Sequence, residues 1–372
     1  MTRAPLWHSL DEVPADLGAT AVTIGNFDGV HRGHQAVLAR LRAAAEARGL
    51  LPVALTFWPH PRHVMGDPAA TPLLTAHEDR DALLQETGLA GVLDLAFTRA
   101  FAQHSAEDFV RVFLVEGLGM RCVVMGEDSR FGRGNQGDLT TMRELGERFG
   151  FDVVLVEDQG HEAHVGPPAR LAADAPAPVR EVHRELAAAH GSDAGRTGRD
   201  RVSSSEIREA LLAGDVEAAS ILLGRFHTVA DEVHHGFKRG RELGFPTANL
   251  GPAPRGLVPA DGVYAGLLTV LEQIPAHAGA PRLVRVPATI SIGTNPTFPS
   301  RDGIAPRMVE AYIHDREGLD LYGDVVSLEF VARQRPTVTF ESVEALVVQM
   351  ERDKDVTRRT LASVPGLEAA RP

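Results

Sequence analysis

Along the first 158 residues, short apolar runs alternate with longer stretches in which apolar positions recur every three or four residues. The runs at 21–25, 52–57, 91–97, 121–126 and 152–157 are nearly continuous and rich in Val, Leu and Ile, as in parallel strands covered on both faces. Helix signals lie between them. Thr75 and Glu78 have capping-box spacing with Gly88 beyond, Ser105 precedes Phe109, Val112 and Phe113, and Asp138 opens a segment ending near Gly150. The alternation predicts an α/β doubly wound, Rossmann-like parallel sheet, which binds ligands at the carboxyl ends of its strands.

The pattern breaks at 159–200, a stretch crowded with Ala, Gly, Pro, His and Arg that reads as a flexible insertion with one short helix at 179–189, a functional lid being the alternative. Order returns with Ser203 and Glu206, again at capping-box spacing, and with Gly214-Asp215, which closes one helix and caps the next up to Gly224. From 228 the pattern is strand upon strand, at 228–235, 262–271, 285–292, 308–314 and 324–333, with Gly and Pro turns between. A final helix at 342–360 has Val343, Leu346, Val347 and Met350 on one face. A small antiparallel β-barrel or sandwich with a C-terminal helix follows, so two domains are expected, 1–220 and 221–372.

Composition narrows the class. A net charge of −12 in 372 residues argues against a general nucleic-acid surface, which needs clustered Lys and Arg. Cys122 is the single cysteine and excludes an intramolecular disulfide, which fits a reduced cytoplasmic setting. No apolar run approaches membrane-spanning length, and 1–16 lacks the pattern of a secretory signal. Small-molecule substrates, with no nucleic acid or membrane as partner, are expected; a homo-oligomer is left open.

Two stretches carry the chemistry. Gly25-Asn26-Phe27-Asp28-Gly29-Val30-His31-Arg32-Gly33-His34 follows the first strand and opens a helix, so free N–H groups, the positive helix end and two histidines converge where a phosphate would bind. Pro59-His60-Pro61 and Gly126-Glu127-Asp128-Ser129-Arg130-Phe131-Gly132 follow other strands to the same edge, while Ser203, Ser204 and Arg208 supply hydroxyls and a cation. Taken alone, His60 reads equally well as the cap of a turn. The second stretch, 236–249, interleaves Gly236, Gly240 and Gly244 with Lys238, Arg239 and Arg241 and ends on Pro246-Thr247-Ala248-Asn249, a loop suited to polyphosphate. By composition alone it is also a basic hairpin.

The first stretch resembles the entry motif of the H-x-G-H nucleotidyltransferases. With the Pro-His-Pro turn, the 126–132 element and Ser203–Arg208, it is most similar to the adenylyltransferase half of prokaryotic bifunctional riboflavin kinase/FAD synthetases. The second stretch, followed by 261–266, 291–298, Val309-Glu310 and 320–323, resembles the kinase half. The resemblance implies ATP-dependent phosphorylation of riboflavin to FMN, then transfer of AMP to FMN, with Mg²⁺ at both steps. It implies ATP and phosphate binding by Gly25, Asn26, Asp28, His31, His34, Ser203, Ser204 and Arg208, with the two histidines and Arg208 catalytic. His60, Asp128 and Phe131 fall to the flavin of the first site. Gly236, Lys238, Gly240, Arg241, Gly244, Thr247 and Asn249 fall to the kinase nucleotide, Thr247 and Asn249 to Mg²⁺, and Glu310 to the catalytic base. Two departures concern flavin affinity: Ser129 stands where the family usually has an aromatic residue, and Thr339 where it tends to have a basic one. A nucleotidyltransferase with another acceptor and a flavin-binding regulator are the rival readings.

Overall fold

The computed structural model describes residues 3–66, 72–156, 202–235, 247–294, 307–316 and 319–362. They form two compact units that divide on the chain between Ser204 and Ser205.

The first unit is a six-stranded parallel sheet in the order β1-β4-β3-β2-β5-β6. Its strands are β1 (Leu6–Trp7), β2 (Thr20–Ile24), β3 (Leu51–Trp58), β4 (Gly91–Ala96), β5 (Met120–Gly126) and β6 (Asp152–Val156). Its helices are α1 (Arg32–Glu46), α2 (Pro61–Met65), α3 (His77–Gln85), α4 (Ala106–Asp108), which runs on as a π-helix over Phe109–Glu116, and α5 (Leu139–Phe149). Alternate strand residues feed two cores: Val53, Leu55, Phe57 and Leu93 enter one, while Ala54, Val92 and Cys122 meet Leu38 and Leu41 of α1 in the other. Burial on both faces accounts for the near-continuous apolar runs.

Ser105 and Asp138 cap as expected, and Gly150 closes α5 in the left-handed conformation at φ 75°. The capping box at Thr75 does not form. The helix starts later, at His77 behind Ala76, because the Thr75 hydroxyl accepts a bond from Gly29 instead. β1 and α2 are too short for periodicity to reveal.

The second unit holds α6 (Ser204–Ala213) from Ser205 onward, α7 (Val216–Leu223), a closed barrel and α8 (Val343–Leu361). The barrel order is β10-β11-β8-β7-β12-β9, formed by β7 (His227–His234), β8 (Thr247–Leu250), β9 (Gly262–Glu272), β10 (Val286–Thr294), β11 (Arg307–Ile313) and β12 (Val325–Arg335). The pattern indicated five strands; the sixth, β8, is four residues long and was read as the end of the phosphate loop. α7 packs on β7 and β12, so the spatial division falls earlier than the boundary expected at 220. Asp215 caps α7 and Ser342 caps α8. The buried residues of α8 are Asp353, Thr357 and Leu361, whereas Val343 is exposed. The helix expected at 179–189, the insertion, and the loop carrying Gly236, Lys238, Gly240, Arg241 and Gly244 lie outside the described residues.

Candidate active sites

β2 runs into a strained turn. Phe27 (φ 50°), Gly29 (φ 83°) and Val30 (φ 38°) all adopt left-handed backbone, which a β-branched residue rarely accepts. Burial of Phe27 and Val30 and the Val30 N–H donated to Phe27 O at 2.8 Å hold it, and strain of this kind collects at functional turns. The turn delivers His31 to the N-cap of α1, where its Nδ1 accepts the His34 N–H at 3.4 Å. The two imidazoles stack with centroids 3.6 Å apart. A Cβ on Gly33 would stand 3.1 Å from Val202 O and 3.2 Å from the His31 ring, so glycine lets the 202 segment and the imidazole close on the helix start without displacement. Two histidines at a positive helix end suit an anionic phosphate.

The first-site residues do not all sit alike. Asp28 is buried; its Oδ1 accepts Leu74 N at 2.9 Å and Thr75 N at 3.4 Å, and its backbone O accepts the Ser204 hydroxyl at 3.0 Å. Gly29 N donates to Thr75 Oγ1 at 3.1 Å. Thus residues 28–29, 74–75 and the start of α6 meet at one node, beside which lies Ser203. Asn26 is half-buried, and Gly25 N–H pairs with Leu55 O. Arg208 lies one turn further along α6. His60 is buried as the N-cap of α2, its Nδ1 accepting Arg62 N at 3.2 Å, which is the turn-capping alternative. Phe131 is buried with its ring 6.3 Å from that of Phe109, and Asp128 is exposed beyond β5.

Pattern reading missed the aromatic wall that Phe131 joins, formed by Phe57, Phe97, Phe101 and Phe109. The signal lay in the density of Phe at 97, 101, 109 and 113. It also missed a buried ion cluster. Arg80 bonds Oδ1 of both Asp81 and Asp94, and His77 Nε2 meets Oδ2 of both while its ring stacks 4.3 Å from Trp58. Burial pushes the Asp81 carboxyl above its usual range. Arg80 already compensates these carboxylates, so the cluster reads as an ion network binding α3 to β4.

In the barrel, register builds the second site. Arg335 lies opposite Val263, Val263 opposite Ser291, Ser291 opposite Glu310, and Glu310 opposite Asn249, one cross-strand row over five strands. Directly opposed residues share a face. The row borders a cavity of about 280 Å³ whose walls include Thr247, Ser291, Glu310 and Arg335, together with Phe340, Leu346 and Met350. The apolar stripe expected on the final helix is thus in part cavity wall. Burial raises the Glu310 carboxyl above its ordinary range, the direction a general base needs. Asn249 Nδ2 donates to Thr247 O at 3.3 Å and reaches Thr247 Oγ1 at 3.5 Å, which ties the two side chains together. Their hydroxyl and amide oxygens are hard donors of the kind Mg²⁺ prefers.

Comparison with known proteins places these geometries in a family. The bifunctional riboflavin kinase/FMN adenylyltransferase of Escherichia coli (strain K12) is 30% identical over 351 residues, covering 94% of this chain and 95% of that protein. The chain belongs to this family. The namesakes of Bacillus subtilis (strain 168) and Pseudomonas fluorescens are 30% and 34% identical, each over at least 94% of this chain. The family model described as FAD synthetase matches residues 13–165, and the one described as riboflavin kinase matches 223–361. A crystal structure described as a macrolide-efflux protein from Streptococcus pneumoniae is 26% identical with a TM-score of 0.72, covering 96% of this chain and 99% of that one. That description belongs to that protein. Among the described residues, no helix of this chain is long and apolar enough to cross a membrane.

Proposed function

We propose that the chain makes flavin cofactors in two steps, phosphorylating riboflavin to FMN with ATP and then adenylylating FMN to FAD with release of pyrophosphate. The observation that carries the kinase half is the register placing Glu310 across from Asn249 at the wall of a cavity that Thr247 also lines. Glu310 accepts the proton of riboflavin's terminal hydroxyl as the γ-phosphoryl arrives. Thr247 and Asn249 would hold Mg²⁺, which when bound offsets phosphate charge, and Gly236, Lys238, Gly240, Arg241 and Gly244 would bind the nucleotide.

In the first half no covalent nucleophile is required, because AMP passes from one phosphate to another. His31 and His34, stacked at the start of α1, neutralise the phosphates of ATP together with Ser203, Ser204 and Arg208. Asn26 and Gly25 border the nucleotide. Asp28, fastened to backbone N–H groups, shapes the turn. The edge near His60, Asp128 and Phe131 takes the flavin. Residues 1–220 carry adenylyl transfer and 221–372 the kinase reaction. The negative net charge supports small molecules rather than nucleic acid as partners, in the cytoplasm.

Chromatography of the products from riboflavin and Mg-ATP tests the proposal. FMN appears first and FAD follows. A chain that consumes ATP without forming FMN refutes it.

A further inference from the structure

We propose that Arg335, oriented by Asp353, recognises the polar edge of the flavin ring in the kinase cavity and so sets which flavins are phosphorylated. This rests on reading that cavity as the riboflavin site.

Arg335 keeps unused donors in the cavity. A guanidinium has five N–H groups. Arg335 Nε donates to Asp353 at 2.9 Å, Nη2 to Asp353 Oδ2 at 2.6 Å, and Nη1 to Pro336 O at 3.0 Å. One N–H on each terminal nitrogen is left without a protein partner among the described residues. Arg335 is only 20% exposed and lines the cavity, where an unused charged donor is costly unless a ligand or water accepts from it.

The guanidinium is also held in one orientation. Asp353 is 7% exposed, grips Arg335 through both oxygens, and is itself held by Gln349 Nε2 at 2.8 Å. The guanidinium also sits 5.9 Å from the centre of the Phe340 ring. An arginine fixed this way presents its remaining donors in a set direction, as recognition of paired acceptors needs.

The distance of Arg335 from Glu310 suits a flavin. Arg335 and Glu310 lie in the same cross-strand row, three strand steps apart. Three steps span about 14 Å between backbones. Both side chains line the same cavity, a separation on the scale of a fused three-ring system with a five-carbon chain. The terminal hydroxyl then meets Glu310, and the pyrimidinedione carbonyls meet Arg335. Phe340, Leu346 and Met350 supply the apolar wall for the rings.

The test uses the full chain, with riboflavin and its 2-thio and 4-thio analogues as substrates, because sulfur accepts hydrogen bonds poorly. Wild type should lose roughly tenfold in kcat/KM on at least one analogue, as a hydrogen bond to a charged group implies. Arg335→Lys keeps a cation near Asp353 but lacks the fork. It should raise KM for riboflavin by about tenfold, change kcat less than about threefold, and lose the discrimination between carbonyl and thiocarbonyl. Asp353→Asn should do the same to a smaller degree. Circular dichroism and a thermal melt of each purified variant report that it is folded. Unaltered discrimination in both variants, or equal losses on riboflavin and its analogues, makes Arg335 an anchor for α8 and overturns the proposal alone. Failure of the wild-type chain to phosphorylate riboflavin overturns the kinase reading and this proposal with it.

Discussion

Asp28 Oδ1 accepts the backbone N–H of Leu74 at 2.9 Å, joining the strained histidine turn to a segment 46 positions away. Thr75 returns the link by accepting the Gly29 N–H, so the turn is fixed from both sides. The two histidines inherit their placement from this node.

Removal of the link should therefore disturb adenylyl transfer without touching a phosphate ligand. Asp28→Ala should lower FAD formation by on the order of tenfold to a hundredfold, the scale at which small misplacements act. Asp28→Asn keeps an acceptor at Oδ1 and should retain most activity. Pyrophosphate release from ATP and FMN measures both, and full activity in Asp28→Ala contradicts this role.

The spatial division gives a second expectation. A fragment of residues 205–372 keeps α6 and α7 on the barrel and should convert riboflavin to FMN while making no FAD. Starting at 224 strips Val216, Ala219 and Leu223, which are buried in the intact chain, and should lower the melting temperature. Equal stability of the two fragments would show that these helices do not support the barrel.

Two barrel histidines make stability fall with acid. Burial lowers both His227 and His314 from the ordinary 6.5 to about 4. The unfolded chain takes up a proton at each below 6.5, and the folded chain only near 4. Their contribution is thus complete above 6.5 and is lost as pH falls from 6.5 to 4, by roughly 3 kcal/mol for a fully buried ring. Glu217 and Glu310, raised by burial, work in the opposite sense, so the comparison must be with a variant. His227→Asn keeps a donor for Leu257 O but does not titrate, and its slope over this window should be shallower. Residues 205–372 contain all three tyrosines and neither tryptophan, so near-ultraviolet circular dichroism of that fragment during urea unfolding reads the barrel unit. Identical slopes would contradict the assignment.

The sheet was legible because its strands bury both faces, leaving continuous apolar runs that single residues such as Cys122 do not interrupt. The barrel was legible as strands but not as six, since β8 follows a glycine-rich stretch of sequence and shows no alternation of its own. The histidine turn stood out through its residue types. Its fastening by Asp28 and Thr75 did not, because a capping box and a long-range acceptor look alike in sequence: Thr75 has the spacing of one and performs the other. Arg335 and Asp353 were invisible for a similar reason. Their pairing depends on how α8 lies across β12, which no local pattern encodes.

The central claim is that one chain carries two separate transfer sites, and paired variants assayed for both activities test it most directly. Glu310→Gln keeps volume but cannot take a proton, and should lower FMN formation by roughly 10²–10⁴. It should leave FAD formation from supplied FMN near wild type. His31→Ala or His34→Ala should do the reverse, lowering FAD formation by on the order of a hundredfold or more while FMN formation persists. This crossed pattern is the predicted result. Parallel loss of both activities in either variant, with folding intact by circular dichroism, would contradict two independent sites.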